Sequence, residues 1–311
     1  MNGNHRRLRR AASNTMARLH SETRAVLRGL AFLSPWLVGF IAFTLVPIAL
    51  SLYYSFCDYS LLQPPLYKGL TNYHLLVHDA VFWKALGNTA IYALMALPLG
   101  MLVALGVAML LNVKIRGLTI YRTVIFLPSL VPTAASAMLW LWLFNAKLGL
   151  INVGLRAIGV ANPPGWLTDV RWSMPALVLM SFWGIGNTVI IYLAGLQDVP
   201  RELYEAASID GASTLRQIWH VTLPSISPVI FFNLIMGIIG TLQVFATPYI
   251  MTGGGPARST YFYTMYLYDN AFSYLKMGYA SAMAWIQLLI VLALTALAAW
   301  SSKKWVHYSG N

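Results

Sequence analysis

Six stretches of this chain are almost wholly apolar, each more than 20 residues long: approximately 30–56, 85–111, 122–146, 173–197, 225–250 and 279–301. About 20 such residues in a helix cross the hydrocarbon core of a bilayer. Only helices and closed barrels satisfy their backbone groups in that medium. Barrel strands are shorter and alternate in polarity, and these runs do neither. The expected fold is therefore an all-α integral membrane bundle of six transmembrane helices. Charged residues make up 10% of the chain, against about 25% in soluble domains.

The net charge of +12 has its natural place at membrane edges, where basic residues set orientation, and is not taken as a nucleic-acid footprint. With six spans both termini share one side. Placing them in the cytoplasm puts 14 Lys and Arg inside and 7 outside, so the termini are expected inside. The chain divides into a basic tail (1–29), the membrane domain (30–303) and a short tail (304–311). The basic tail is not a signal peptide, because the following apolar run is too long and no small-residue cleavage site closes it. Arg9-Arg10 lacks twin-arginine surroundings. Cys57 is the only cysteine, and no Cys/His cluster suggests a metal.

Beyond Arg122 at the edge of the third run, no Asp, Glu, Lys, Arg or His lies in any span. Proton relays and voltage sensors depend on such residues, so both are disfavoured. Uncharged polar residues do occur. Span four carries Trp183, Asn187 and Thr188. Span five carries Asn233, Thr241, Gln243 and Phe245. They read either as interhelical hydrogen bonding or as a path for a neutral, hydroxyl-rich solute. Ala96, Gly100, Ala104 and Ala108 form a small-residue stripe for close helix packing. Prolines 35, 47, 98, 128, 132 and 248 fall within spans and predict bent helices. "TGGGPARST" at 252–260 lacks the lysine and spacing of a phosphate loop and reads as a turn closing span five. "YFYTMYLYDNAFSYLKMGY" then reads as an interfacial helix. No spacing suggests a catalytic constellation.

One mixed segment, 198–224, interrupts the apolar pattern. Pro200 suits the first turn of a helix, and Asp198 and Glu202 suit its N-terminal dipole. Gly211 marks its end. Thr214-x-x-Gln217 has capping-box spacing for a second helix, and Pro224 marks the entry to span five. The expected object is helix, glycine corner, helix.

This segment resembles the permease subunits of bacterial ABC importers, in the sugar-type group that includes maltose and glycerol-3-phosphate systems. The signature is Glu-Ala-Ala, three residues, Gly, nine residues, Ile-x-Leu-Pro. Here it reads Glu205-Ala206-Ala207, Gly211 and Val221-Thr222-Leu223-Pro224, with valine for isoleucine. "RTVIFLP", "GLIN", "MTGGGP" and "MGYASAM" extend the likeness over most of the chain. The resemblance implies a multi-pass protein of the bacterial cytoplasmic (inner) membrane that is not itself an enzyme. It implies a coupling helix between spans four and five, with Glu205, Ala206, Ala207, Gly211, Leu223 and Pro224 engaging a dimer of separate ATP-binding subunits. ATP and magnesium would be held there. A second homologous permease would complete the pore, and an extracellular solute-binding protein would deliver a sugar or sugar-like solute. In the family, solute contacts come from the helices flanking the coupling loop. The competing readings are a secondary transporter or facilitator acting alone and, more distantly, a membrane enzyme.

Overall fold

The computed structural model describes residues 28–113 and 116–307. Nearly all of the expected basic tail, together with Lys114 and residues 308–311, lies outside them. Three long helices cross the bundle unbroken: α1 (Arg28–Ser55), α3 (Ala80–Leu110) and α14 (Met277–Ser302). Between α1 and α3 lie a two-stranded antiparallel hairpin, β1 (Cys57–Asp58) with β2 (Leu66–Tyr67), and α2 (Thr71–His78). Among the described residues, strands β1 and β2 are the only departure from an all-α fold.

The other three spans are broken. Span three is α4 (Leu118–Leu130) and α5 (Thr133–Leu143), bent by 99°. Pro132 cannot continue a helix through its ring and missing N–H, and it stands at the bend as the α5 N-cap. After α6 (Leu150–Ala157), span four is α7 (Val170–Gly184) and α8 (Gly186–Gln197), bent by 52°. Then come α9 (Arg201–Ile209) and α10 (Thr214–Ser225), which meets α11 (Ser227–Leu242) at 68°. Span five thus ends at Leu242, short of the expected 250, and resumes as α12 (Ala246–Thr252). The freed Leu242 carbonyl accepts a 2.8 Å hydrogen bond from Gln287 of α14, which replaces the missing helical partner. Prolines 47 and 98 bend nothing this sharply. A π turn at Ile41–Leu45 precedes Pro47, and α3 runs on through Pro98.

Helix α3 packs against α8 and α11, and α14 packs against α1 and α11. The small-residue stripe serves that packing, with Ala96, Ala104 and Ala108 buried. Three apolar cores result, the smallest around Leu76, Phe82, Tyr263 and Met283; the other two are larger. One, around Tyr92, Phe144, Leu177 and Phe262, fills the end near the α5–α7 connection. The other, around Ala104, Tyr192, Leu196 and Ile226, fills the end near α9. Past the terminus of α14, Trp305 packs on Phe231 and the His307 N–H donates to Ser227 Oγ at 2.8 Å. The start of the expected C-terminal tail is therefore docked on α11.

The tyrosine-rich stretch packs into the bundle. It forms α13 (Tyr263–Tyr268) and a π turn at Asp269–Ser273, with Phe262 and Tyr263 fully buried. Its polar anchor is Asp79, just before α3. Asp79 Oδ2 accepts from the Tyr279 hydroxyl at 2.5 Å and from the Tyr266 hydroxyl, and Oδ1 accepts from the Val81 N–H at 2.8 Å. Burial raises the Asp79 carboxyl, but these donors outweigh it and hold the group below the usual carboxylate range. Their contribution is present above the ordinary carboxylate pKa and is lost as pH falls through the lowered one. Asp79→Asn should therefore lower the melting temperature at pH 7 by about 3 °C, the worth of ~1 kcal/mol in a chain this long. It should also flatten the acid limb of the melting curve below about pH 4, measured by thermal unfolding of the purified protein.

Candidate functional site

The segment between spans four and five is built as two helices around Gly211. Residue Gly211 has φ +74°, a conformation that costs an L side chain roughly 1–2 kcal/mol. Its N–H bonds the Ser208 carbonyl and the Ala212 N–H bonds the Ala207 carbonyl, the paired closure of a Schellman C-terminus. The expected capping box is not formed. The N-cap of α10 is Ser213, without a side-chain bond, and Gln217 reaches back instead. Its amide donates to Ser208 Oγ at 3.0 Å and to the Ala212 carbonyl at 3.2 Å, fastening α10 to α9. Pro224 lies inside α10, after a π turn at Ile218–Thr222, so the entry to span five is the bend at Ile226. The Tyr204 and Thr222 hydroxyls, 3.0 Å apart, join α9 to α10 a second time.

Of the signature residues, Glu205, Ala206 and Gly211 are exposed, while Ala207, Leu223 and Pro224 are half-buried. Around them Leu203, Ile209, Leu215 and Trp219 are exposed, Ile209 at 87%. A corner held by its own hydrogen bonds and faced with apolar side chains is an interaction surface.

The polar residues of spans four and five divide into groups. Trp183 and Asn187 line an open cleft of about 270 Å³ with Tyr92, Ser129, Ser136 and Thr247. Thr188, Asn233 and Thr241 line a second of about 270 Å³ with Tyr92, Gly100 and Gly237. The clefts share Tyr92, Ser181 and Gly184 and lie where the two larger apolar cores part. The α7–α8 break places Gly184 and Asn187 at this level. Gly186 permits it, since a Cβ there would meet the Ile125 carbonyl at 2.9 Å. Gln243 and Phe245 sit at the break after α11 and line neither cleft; Phe245 stacks on Tyr249 at 5.0 Å.

Hydrogen bonding separates the group further. The Asn233 amide donates to the Val229 carbonyl and the Thr241 hydroxyl to the Gly237 carbonyl, both within their own helix. Asn187 and Thr188 have no side-chain hydrogen-bond partner among the described residues. Ser129, Ser136, Thr247 and Trp140 were not singled out from the sequence. Broken span three brings Ser129 and Ser136 to the cleft, and nothing in its apolar pattern marks the fold-back. The Trp140 indole N–H is buried without a partner, its ring 6.0 Å from that of Trp183. No group of three or more metal-ligating side chains occurs among the described residues.

Residues 96–307 match the family described as "Binding-protein-dependent transport system inner membrane component", and the chain belongs to that family. It is 38% identical over 303 residues to the probable ABC transporter permease protein YesP of Bacillus subtilis, covering 96% of this chain and 98% of that one. It is 35% identical to the lactose transport system permease protein LacF of Rhizobium radiobacter, covering 89% and 95%. Its fold matches a chain of a bacterial ABC transporter that imports the acidic polysaccharide alginate, with a TM-score of 0.81 over 92% of this chain and 99% of that one, at 23% identity.

Replacing Asn187 by alanine removes a cleft amide and no intramolecular bond. In the assembled transporter Asn187→Ala should raise the solute concentration for half-maximal ATPase stimulation by about 2–10-fold, the worth of one neutral hydrogen bond. Its melting temperature should stay at the wild-type value. Asn233→Ala should lower the melting temperature, because it removes a bond inside the bundle.

Proposed function

We propose that this chain is the membrane-spanning subunit of an ATP-driven importer for a sugar or sugar-like solute, and that its corner at Gly211 seats in a separate ATPase subunit. The observation that carries this reading is the corner itself. Its rigid closure by Gly211 and Gln217 and its exposed apolar faces suit a surface that receives force from another protein. ATP and magnesium belong to that partner. The corner then faces the cytoplasm, in agreement with the distribution of Lys and Arg, and both termini lie on the same side.

The clefts at Tyr92, Trp183, Asn187 and Thr188 form one wall of the solute path. Both are open, and a second homologous permease supplies the facing wall. Unpaired amide and hydroxyl groups beside aromatic faces match a hydroxyl-rich solute, and the likeness to a lactose permease points the same way. Among the described residues no cation lines either cleft, which favours neutral solutes. At the opposite end, Asp58, Lys68, Asn72, Asp79 and Lys276 border a polar cavity of about 710 Å³. We assign that end to the solute-binding protein.

The test is Gly211→Val in the complete transporter. No atom lies within 4 Å of the added Cβ, so the cost is confined to the backbone of the corner. Solute uptake should fall roughly tenfold, the effect of ~1.4 kcal/mol of misplacement, while ATP hydrolysis continues and the melting temperature falls by no more than the few degrees that about 1–2 kcal/mol of backbone strain accounts for. Uptake at the wild-type rate, or uptake by this chain in liposomes without an ATPase, would defeat the reading.

A further inference from the structure

A fourth cavity shares no lining residue with either cleft. It measures about 300 Å³ and lies between the terminus of α3, the first turns of α4 and one face of α8 that it follows from Gly186 to Gln197, the end that leads to α9. Its walls are apolar, with Ile125, Val189, Leu193 and Ala194 among them, and two polar side chains, Arg122 and Gln197, complete the lining.

Arg122 is poorly satisfied. Its Nε is buried and has no hydrogen-bond partner, and one Nη donates to the Leu111 carbonyl at a long 3.3 Å. The one ion pair among the described residues is Arg171–Asp169, far along the chain. Asp198 follows Gln197 in the sequence and makes no ion pair with Arg122. The Gln197 amide has no hydrogen-bond partner among the described residues either. A guanidinium held against an apolar groove without an anion is costly, and it presents planar donors that suit phosphate oxygens.

We propose that this cavity binds an anionic phospholipid, with the headgroup phosphate on Arg122 and Gln197 and an acyl chain along Ile125, Val189, Leu193 and Ala194. The pairing of charge and groove argues for a lipid. A free phosphate would use the guanidinium and leave the apolar slot empty, whereas an apolar chain alone would leave Arg122 unpaired. Basic pockets between transmembrane helices at the cytoplasmic face hold acidic headgroups elsewhere, and the proposed orientation puts Arg122 at that face. The lipid would tie α4 to α8, the two helices that frame the clefts, without entering either cleft.

The test uses the assembled transporter, with phosphatidylglycerol and phosphatidylcholine as probes and native mass spectrometry to count retained lipid. Wild-type protein should keep phosphatidylglycerol in preference to phosphatidylcholine through detergent washing. Arg122→Gln should weaken that retention about fivefold, the worth of one basic residue at an acidic surface. Ala194→Trp, which fills the slot and keeps Arg122, should weaken it as well, and it decides the matter should Arg122→Gln fail to fold. Equal retention of the two lipids, or unchanged retention in a folded variant, would overturn the proposal. So would displacement of the lipid by inorganic phosphate, or a cross-link from Ala194→Cys to the partner permease, which would show that another protein covers the groove.

Discussion

The structure depends on one constraint: where buried backbone leaves the helix, its N–H and C=O groups need new partners. Buried asparagine side chains supply many of them. Asn72 donates to the Ser55 and Cys57 carbonyls where α1 gives way to β1. Asn88 donates to the Arg258 and Tyr261 carbonyls in the loop after α12. Asn152 donates to the Ala146 and Pro164 carbonyls and accepts from the Trp166 indole. Each amide joins two points of irregular backbone, so non-helical segments become fixed parts of the bundle. The glycine-rich turn is secured in the same manner, through Thr252 and Thr260 hydroxyls 2.7 Å apart and Ser173 and Ser259 hydroxyls 2.8 Å apart.

Against that background an unpaired polar group is conspicuous. Asn187 and Thr188 sit in the first turn after the break in span four without partners among the described residues, whereas the buried asparagines spend their amides on backbone carbonyls. Asn233 and Thr241, which the sequence sets beside them as equals, are satisfied within α11. A sequence shows which polar residues occupy a span. It does not show which have been used up by the fold, and that difference separates a solute contact from an internal brace.

The six spans were legible because length and apolarity alone define them, and α1, α3 and α14 lie within a few residues of their expected ends. The breaks were not. Pro132 folds span three back on itself, whereas Pro98 rides inside a continuous helix, because the neighbours of a proline decide how its orphaned carbonyl is met. The corner was legible as far as Gly211, whose conformation follows from residue type. The capping box failed because Gln217 had a competing use: bonding Ser208 and Ala212 closes the angle between two helices, which a local cap on α10 cannot do. The tyrosine-rich helix was legible as a helix but not in its packing. Tyrosine prefers an interface when nothing else is offered, and here Asp79 offers a carboxylate to two of them.

These parts bear on how a force applied at the corner would reach the clefts. Helix α8 runs from Gly186 to Gln197, and Asp198 to Pro200 join it directly to α9. Its 12 residues span about 18 Å, with Asn187 at one end and the corner at the other. The 52° break before Gly186 leaves α8 free of the continuous helical hydrogen bonding that would otherwise make it one rod with α7. The Tyr204–Thr222 contact and Gln217 make α9 and α10 move together. A push on the corner therefore falls on α8 and α11 at once, the two helices that carry Asn187, Thr188 and Asn233. On the proposed function, the break would let those side chains shift against Tyr92 on the unbroken α3, with Asn187 and Thr188 at one end of the short α8 and the corner joined to its other end.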